Sequence, residues 1–228
     1  MPGLFVVGTD TGVGKTVVTT GVARCLRRRG QAVEVCKPVA TGAEPHAGGY
    51  LADDTRRLAD AAGHQEYHRV TPWAFPVPAA PPVAARLAGA ELALADLAGH
   101  VRRLARPRVV LLVEGVGGLL CPLTERETVA DLAMVLELPL VVVARRALGT
   151  LNHTLLTLEV ARTRGLRVAG VVVSETSPVR DQAEETNVAE IAKRITVPLL
   201  ALVPYRTRPF ETEIASLGRV DWAGLAGA

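Results

Sequence analysis

Short runs of apolar, mostly β-branched residues recur along the chain, separated by stretches whose apolar positions fall at helical spacing. The runs are Leu4–Val7, Val33–Cys36, Val109–Val113, Leu140–Ala144, Val168–Val173 and Pro198–Val203. They are apolar on both sides of the alternation, as strands covered on both faces are. Helical patterns lie at Lys15–Arg29, Asp54–Ala62, Leu94–Leu104, Val129–Leu136, Leu151–Arg164 and Asp181–Arg194. This alternation predicts an α/β fold: a mostly parallel central sheet between two helical layers. No repeat, long polar linker or break in composition divides the chain, so one domain is expected over residues 1–228. Such sheets bind ligands beyond the carboxyl ends of their strands, which is where chemistry is sought. One segment departs from the pattern. In Pro72–Pro82 five of eleven residues are proline, which excludes a helix and a central strand. A rigid surface connection and a wall or lid over a pocket both stay open.

Composition narrows the class. At 228 residues the chain can bury roughly 70% of its unfolded surface. Its 49% hydrophobic and 21% charged residues suit a globular protein and not a disordered one. Cys25, Cys36 and Cys121 show no metal-type spacing and are too few for a disulfide scaffold, so a reducing, cytoplasmic setting is expected. No apolar run approaches the length of about 18 residues that spans a membrane, and the N-terminus lacks a signal-peptide layout. A net charge of +3 with 4% aromatic residues gives no footing for a nucleic-acid partner. Of 26 lysines and arginines only Lys15, Lys37 and Lys193 are lysine. Where a lysine does stand, a compact ammonium is to be explained.

The chemistry follows the strands. Gly8-Thr9-Asp10-Thr11-Gly12-Val13-Gly14-Lys15-Thr16 joins the first strand to a helix. Its glycines let backbone N–H groups curl around an anion at the helix N-terminus. Lys15 can reach the β- and γ-phosphates of a nucleotide, and the Thr16 hydroxyl can ligate Mg²⁺. The usual pattern has glycine where Thr9 stands, and here it falls one place earlier, at Gly8. Lys37 closes the second strand, where it can neutralise charge in phosphoryl transfer. Pro38 and Gly42 fix the loop that presents it. Asp53 and Asp54 open a helix; either can be a cap, and either can ligate a metal. Glu114 closes the third strand ahead of Gly115-Val116-Gly117-Gly118, and a buried acid there calls for a cation. Leu148-Gly149-Thr150-Leu151-Asn152-His153 opens a later helix, whose free N–H groups suit a carboxylate or phosphate as well as ordinary capping by Thr150. His64 and His68 have i, i+4 spacing without an acid or cysteine to complete a metal site.

Together GTDTGVGKT at 8–16, KPVATG at 37–42, VEGVGG at 113–118 and LGTLNH at 148–153 resemble the dethiobiotin synthetases, in order and spacing, along essentially the whole chain. That resemblance implies a P-loop NTPase-type sandwich that uses ATP and Mg²⁺. Gly12, Val13, Gly14, Lys15, Thr16 and Val17 would cradle the triphosphate. Thr16, Asp54 and Glu114 would hold the metal. Gly115, Val116 and Gly117 would line the nucleotide, and Ser174, Glu175, Pro204, Tyr205, Arg206 and Glu211 the base end. Lys37 matches the catalytic lysine, supported by Lys15. Thr11, Thr41 and Gly118 would contact substrate. Gly149, Thr150, Leu151 and Asn152 would bind its carboxylate from the second subunit of a homodimer. The implied reaction carboxylates 7,8-diaminononanoate with CO₂, phosphorylates the carbamate and closes a cyclic urea.

Two positions depart from the family pattern. Val116 replaces a usual alanine, and Ser174-Glu175 stands where an Asn-Asp pair commonly reads adenine. Serine has a shorter reach than asparagine and cannot offer the same donor–acceptor pair. The main alternative reading is a dimeric switch ATPase of the partitioning or division-site type. Those carry a lysine early in the phosphate loop, where this chain has Asp10 and Thr11. An amidotransferase-type cobyrinate synthase would need a glutaminase domain for which 228 residues leave little room.

Overall fold

The computed structural model describes residues 1–64, 66–205 and 215–228. Strand β1 (Gly3–Gly8) leads through the glycine-rich loop into α1 (Lys15–Arg28), which returns to β2 (Ala32–Cys36). Short elements follow: β3 (Val39–Thr41), the hairpin β4 (Glu44–His46) and β5 (Gly49–Leu51), then α2 (Asp53–Ala62), α3 (Tyr67–Val70), β6 (Trp73–Phe75), α4 (Pro81–Leu87) and α5 (Leu94–Leu104). Regular alternation then resumes with β7 (Val109–Gly118), α6 (Val129–Leu136), β8 (Leu140–Arg145), α7 (Thr150–Thr163), β9 (Val168–Ser174), α8 (Gln182–Arg194) and β10 (Leu199–Val203). A last helix, α9, spans Trp222–Ala226.

Six strands make one parallel sheet in the order β10-β9-β8-β1-β7-β2. The central strand shows why its residues are apolar throughout. Phe5 and Val7 enter one core with Leu97, Val101 and Leu132, while Leu4 and Val6 enter the other with Val22, Leu26 and Trp222. Each such side chain contributes about 1.5–3 kcal/mol on burial, so both faces need helical cover. No helix among the described residues is long and apolar enough to cross a membrane.

All six expected strands and six expected helices form, within a few residues of their sequence boundaries. In the proline-rich segment the exclusion of a helix is corrected, since it holds a short strand and the start of a helix. Trp73–Phe75 forms a strand parallel to β3, with Phe75 buried, and Pro81 and Pro82 open α4. Proline fits both places, because a helix's first turn leaves its N–H groups unused and β6 lies outside the central sheet.

One carboxylate ties two helices together. Asp131 accepts the backbone N–H of Thr128 at 2.7 Å and its hydroxyl at 2.6 Å, and pairs with Arg164 at the end of α7 at 2.7 Å. Burial pushes its carboxyl upward, but the Thr128 hydrogen bonds and Arg164 outweigh that and hold it below the usual carboxylate range. A depressed native pKa adds stability above the unfolded value and loses it as pH falls through the native one. Asp131→Asn is therefore expected to cost about 1 kcal/mol at pH 7. The difference from wild type should begin to shrink as pH falls below about 3.9 and go on shrinking toward the lower native pKa. Urea unfolding at pH 7 and pH 3 measures it, and a gap as large at pH 3 as at pH 7 contradicts the assignment.

Candidate active site

Sheet register assembles the site. β1 ends with Gly8 beside Gly118, and Cys36 of β2 stands opposite Val113 of β7. Lys37, one residue beyond β2, therefore comes beside Glu114. The glycine-rich loop crosses above them and enters α1 through Gly14, which has φ 95°. A Cβ on Gly14 would lie 2.5 Å from Ser174 Oγ. Gly8 explains the displaced glycine of the motif. A Cβ there would fall 2.8 Å from Lys15 Nζ and 3.0 Å from the Gly117 carbonyl, so a side chain would obstruct the path of the lysine. The ammonium of Lys15 donates to the carbonyls of Gly117 at 2.8 Å and Asp10 at 3.0 Å. Burial, with Lys37 nearby, lowers its pKa to about 8 against the pull of Glu114 and Asp54.

Next to Lys15 lies a compact ionic cluster. Lys37 Nζ donates to Glu114 Oε1 at 2.8 Å and to Asp54 Oδ2. Thr16 Oγ1 sits 2.8 Å from Asp54 Oδ1 and 2.8 Å from Glu114 Oε1. Glu114 is 0% exposed and Lys37 only 5%. Burial alone would lower the Lys37 pKa, but Glu114 and Asp54 outweigh it and raise it. Burial likewise pushes Asp54 up, and Lys37 overrides it and lowers its pKa. The N-cap of α2 is Ala52, so neither acid caps the helix. Asp54 turns into the cluster, while Asp53 is exposed and among the described residues reaches only Arg57, at 3.9 Å.

Whether this cluster suits a magnesium ion is answered by one atom. Glu114 Oε2 is buried and has no hydrogen-bond partner. With the Thr16 hydroxyl and Asp54 it forms an all-oxygen set. No group of three or more His, Cys, Asp or Glu among the described residues offers a closed metal cage. Sparse oxygen donors, completed by phosphate and water, are what Mg²⁺ takes.

A cavity of about 520 Å³ extends from this cluster along the phosphate loop. Its walls include Thr11, Gly12, Gly14, Lys15, Thr16, Val17, Lys37, Thr41, Asp54, Val116, Gly117, Ser174, Glu175, Pro204 and Tyr205. The side chain of Val13 is buried beneath the loop, and Gly115 faces Val129 and Phe5, so neither lines the cavity. Arg206 and Glu211 lie outside the described residues. Gly149, Thr150, Leu151 and Asn152 are not brought to this cavity within one chain. Thr150 is buried at the start of α7, and Asn152 faces a separate hollow beside Leu155 and Glu159. Gly118 lines a second, smaller cavity of about 360 Å³ with Thr11, Leu120, Cys121 and His153.

Three residues at the site carried no motif signal. Arg57 and Thr176 line the cavity, and Arg146 fixes its far end. Arg146 pairs with Glu175 and donates to the carbonyl of Glu184 at 2.7 Å, while Glu175 Oε2 accepts the Tyr205 N–H at 2.8 Å. Glu175 is thus held by two donors from neighbouring segments. Val116 lies on the cavity wall with its side chain packed against the core, and the extra methyls relative to alanine are accommodated there.

A phosphate loop, a metal-type oxygen cluster and a lysine at the ends of parallel strands define a P-loop NTPase-type protein. A family model described as an AAA domain matches residues 2–208. The chain is 45% identical over 226 residues to an ATP-dependent dethiobiotin synthetase of Anaeromyxobacter dehalogenans, covering 99% of this chain and 98% of that one. It is 38% identical over 205 residues to the ATP-dependent dethiobiotin synthetase of Bacillus subtilis, covering 90% and 87%. The chain belongs to the family of ATP-dependent dethiobiotin synthetases. Solved structures share its fold at low identity. The septum site-determining protein MinD of Pyrococcus horikoshii, complexed with Mg-ADP, has a TM-score of 0.55 at 17% identity, covering 98% of this chain and 93% of that one. Cobyrinic acid a,c-diamide synthase of Mycobacterium smegmatis, with ADP and magnesium bound, has 0.54 at 16%, covering 95% and 91%.

Proposed function

We propose that this chain forms dethiobiotin from 7,8-diaminononanoate, CO₂ and ATP at the cluster of Lys37, Asp54, Glu114 and Thr16. The activity is that of its family, a ligase of biotin biosynthesis. The observation that carries the residue assignment is the Lys37 ammonium held between two carboxylates at the end of the phosphate loop.

One amine of the substrate adds to CO₂ and loses a proton, giving a carbamate. A carbamate oxygen attacks the γ-phosphorus, and the bond to the bridging oxygen of ADP breaks. The second amine attacks the carbamoyl carbon, phosphate leaves, and a proton is lost as the ring closes. Both attacking and attacked groups in the phosphoryl step are anionic, so the site must screen charge and hold the reactants in line. Backbone N–H groups of Gly12–Val17 cradle the phosphates, and Lys15 exchanges its two carbonyls for phosphate oxygens. Lys37, kept protonated by its carboxylates, stabilises the transferring group and need not act as a base. Thr16, Asp54 and Glu114 would hold Mg²⁺, which would supply charge neutralisation at the phosphates.

Thr41 and Thr11, which line the cavity with Lys37, would contact the reacting end of the diamine. The smaller cavity beside Gly118 and Leu120 suits an alkyl chain. Gly149–Asn152 of a second subunit would take the substrate carboxylate, which makes the active unit a homodimer. The exposed Leu148 and Leu156 of that region fit a surface covered by a partner. Cys25, Cys36 and Cys121 form no disulfide among the described residues, which suits a reducing cytoplasm.

Detection of dethiobiotin by mass spectrometry, from pure protein with the diamine, bicarbonate, Mg²⁺ and ATP, tests the reading. ATP hydrolysis indifferent to the diamine, without dethiobiotin, would overturn it in favour of a switch ATPase. Ser174 and Glu175 carry a second expectation. With serine packed on Gly14 and Glu175 bound to Arg146, the described residues of the base end offer no side-chain amide to read adenine. Rates with GTP and CTP are expected within about tenfold of that with ATP, a gap of about 1.4 kcal/mol. A discrimination of a hundredfold or more would contradict it.

A further inference from the structure

Charge balance at the reacting end leaves one residue unassigned. Lys15 and Lys37 are matched by Asp54 and Glu114, so the side chains of the cluster cancel before any ligand arrives. The triphosphate and carbamate then bring more negative charge than a divalent cation alone offsets. Arg57 lines the same cavity. It stands at i+3 from Asp54 on α2, and residues so spaced share one helix face. Its side chain is 49% exposed, and its ion-pair partner is Asp53 at 3.9 Å, a carboxylate that is itself 73% exposed. That contact is long and solvent-screened, so little holds the guanidinium away from a phosphate.

We propose that Arg57 is a further phosphate-binding residue, contributing a guanidinium to the β- and γ-phosphates of the bound nucleotide. This rests on the nucleotide site proposed above. A planar fork of donors can grip two phosphate oxygens at once, which a lysine at this position would not do. The position also explains why an arginine serves here while the two cluster cations are lysines. Lys15 and Lys37 are enclosed and need compact heads. Arg57 approaches from the rim, where reach and a broad donor face count.

Equilibrium binding in the presence of Mg²⁺, with no diamine, tests the assignment without turnover. Wild type, Arg57→Ala and Arg57→Lys are titrated with a fluorescent ADP, which is then displaced by a non-hydrolysable ATP analogue or by AMP. Arg57→Ala is expected to weaken the ATP analogue about tenfold and to leave AMP unchanged, with Arg57→Lys between the two. The affinity of wild type for the analogue should also fall more steeply with salt than that of the alanine variant. Equal affinities across the three proteins, or the same loss for AMP as for the analogue, would overturn the role of Arg57. Failure of wild type to bind any of these nucleotides would instead sink the nucleotide site itself. The residue is exposed, so the fold should survive; unchanged thermal unfolding verifies that.

Discussion

Lys37→Ala is expected to lower dethiobiotin formation by about a hundred- to a thousandfold, the scale of removing one preorganised charge donor from a transition state. The KM for ATP should move far less, since the phosphates keep the loop and Lys15. The same variant strips the ion-paired ammonium from Glu114, which is wholly enclosed, and from Asp54, whose side chain is 40% exposed. Breaking a buried ion pair costs about 3–5 kcal/mol, and the access of Asp54 to water argues for the lower end. Metal-free variant should therefore unfold at a lower temperature than metal-free wild type. Adding Mg²⁺ with ADP should close much of that gap, because a bound cation replaces the missing ammonium. A variant that keeps wild-type turnover would remove Lys37 from the chemistry. One that loses turnover without any metal-dependent recovery of stability would dissociate the lysine from the acid cluster.

Glu114→Gln is expected to cut activity by at least about a hundredfold, because the proposed Mg²⁺ site would lose its enclosed anionic ligand and with it part of the charge neutralisation at the phosphates. The amide preserves shape, so the loss is one of charge. Mg²⁺ activation should shift to higher concentration, and raising the metal should restore part of the rate. Asp54→Asn should cost less, since water reaches that position and can complete the coordination. The order Glu114 before Asp54 is the informative outcome. Equal losses would mean that burial does not set the importance of the two acids.

The strands and longer helices were legible because each is defined by a local apolar period. The short elements between β2 and α5 were not. Three-residue strands such as β3 and β6 have no measurable period, and their pairing depends on segments more than thirty residues apart in sequence. The proline-rich segment misleads for a related reason: proline speaks against helix interiors and central strands, and β6 and the start of α4 are neither. At the site, the residues in Gly-Lys-Thr, Lys-Pro and Glu-Gly contexts announced themselves through backbone and charge requirements. The choice between Asp53 and Asp54 did not. It is decided by the entry of the chain into α2, which points one acid at Lys37 and the other at solvent. Arg57 and Arg146 are two of the many arginines of this chain, and nothing local distinguishes them. Their places follow from which elements pack together.

The sheet order also governs when the catalytic loop can exist at all. β1 emerges first in synthesis, yet Gly3 pairs with Leu111 and Phe5 with Leu140, across long intervening loops of chain. Closing such loops is entropically costly until the distant strands arrive. A nascent chain that ends before β8 offers β1 one neighbour at most, with an apolar strand edge exposed to other chains. Folding of the phosphate loop is thus a late event, coupled to completion of more than half the polypeptide. Interrupted translation products would be clients for chaperones rather than weak enzymes.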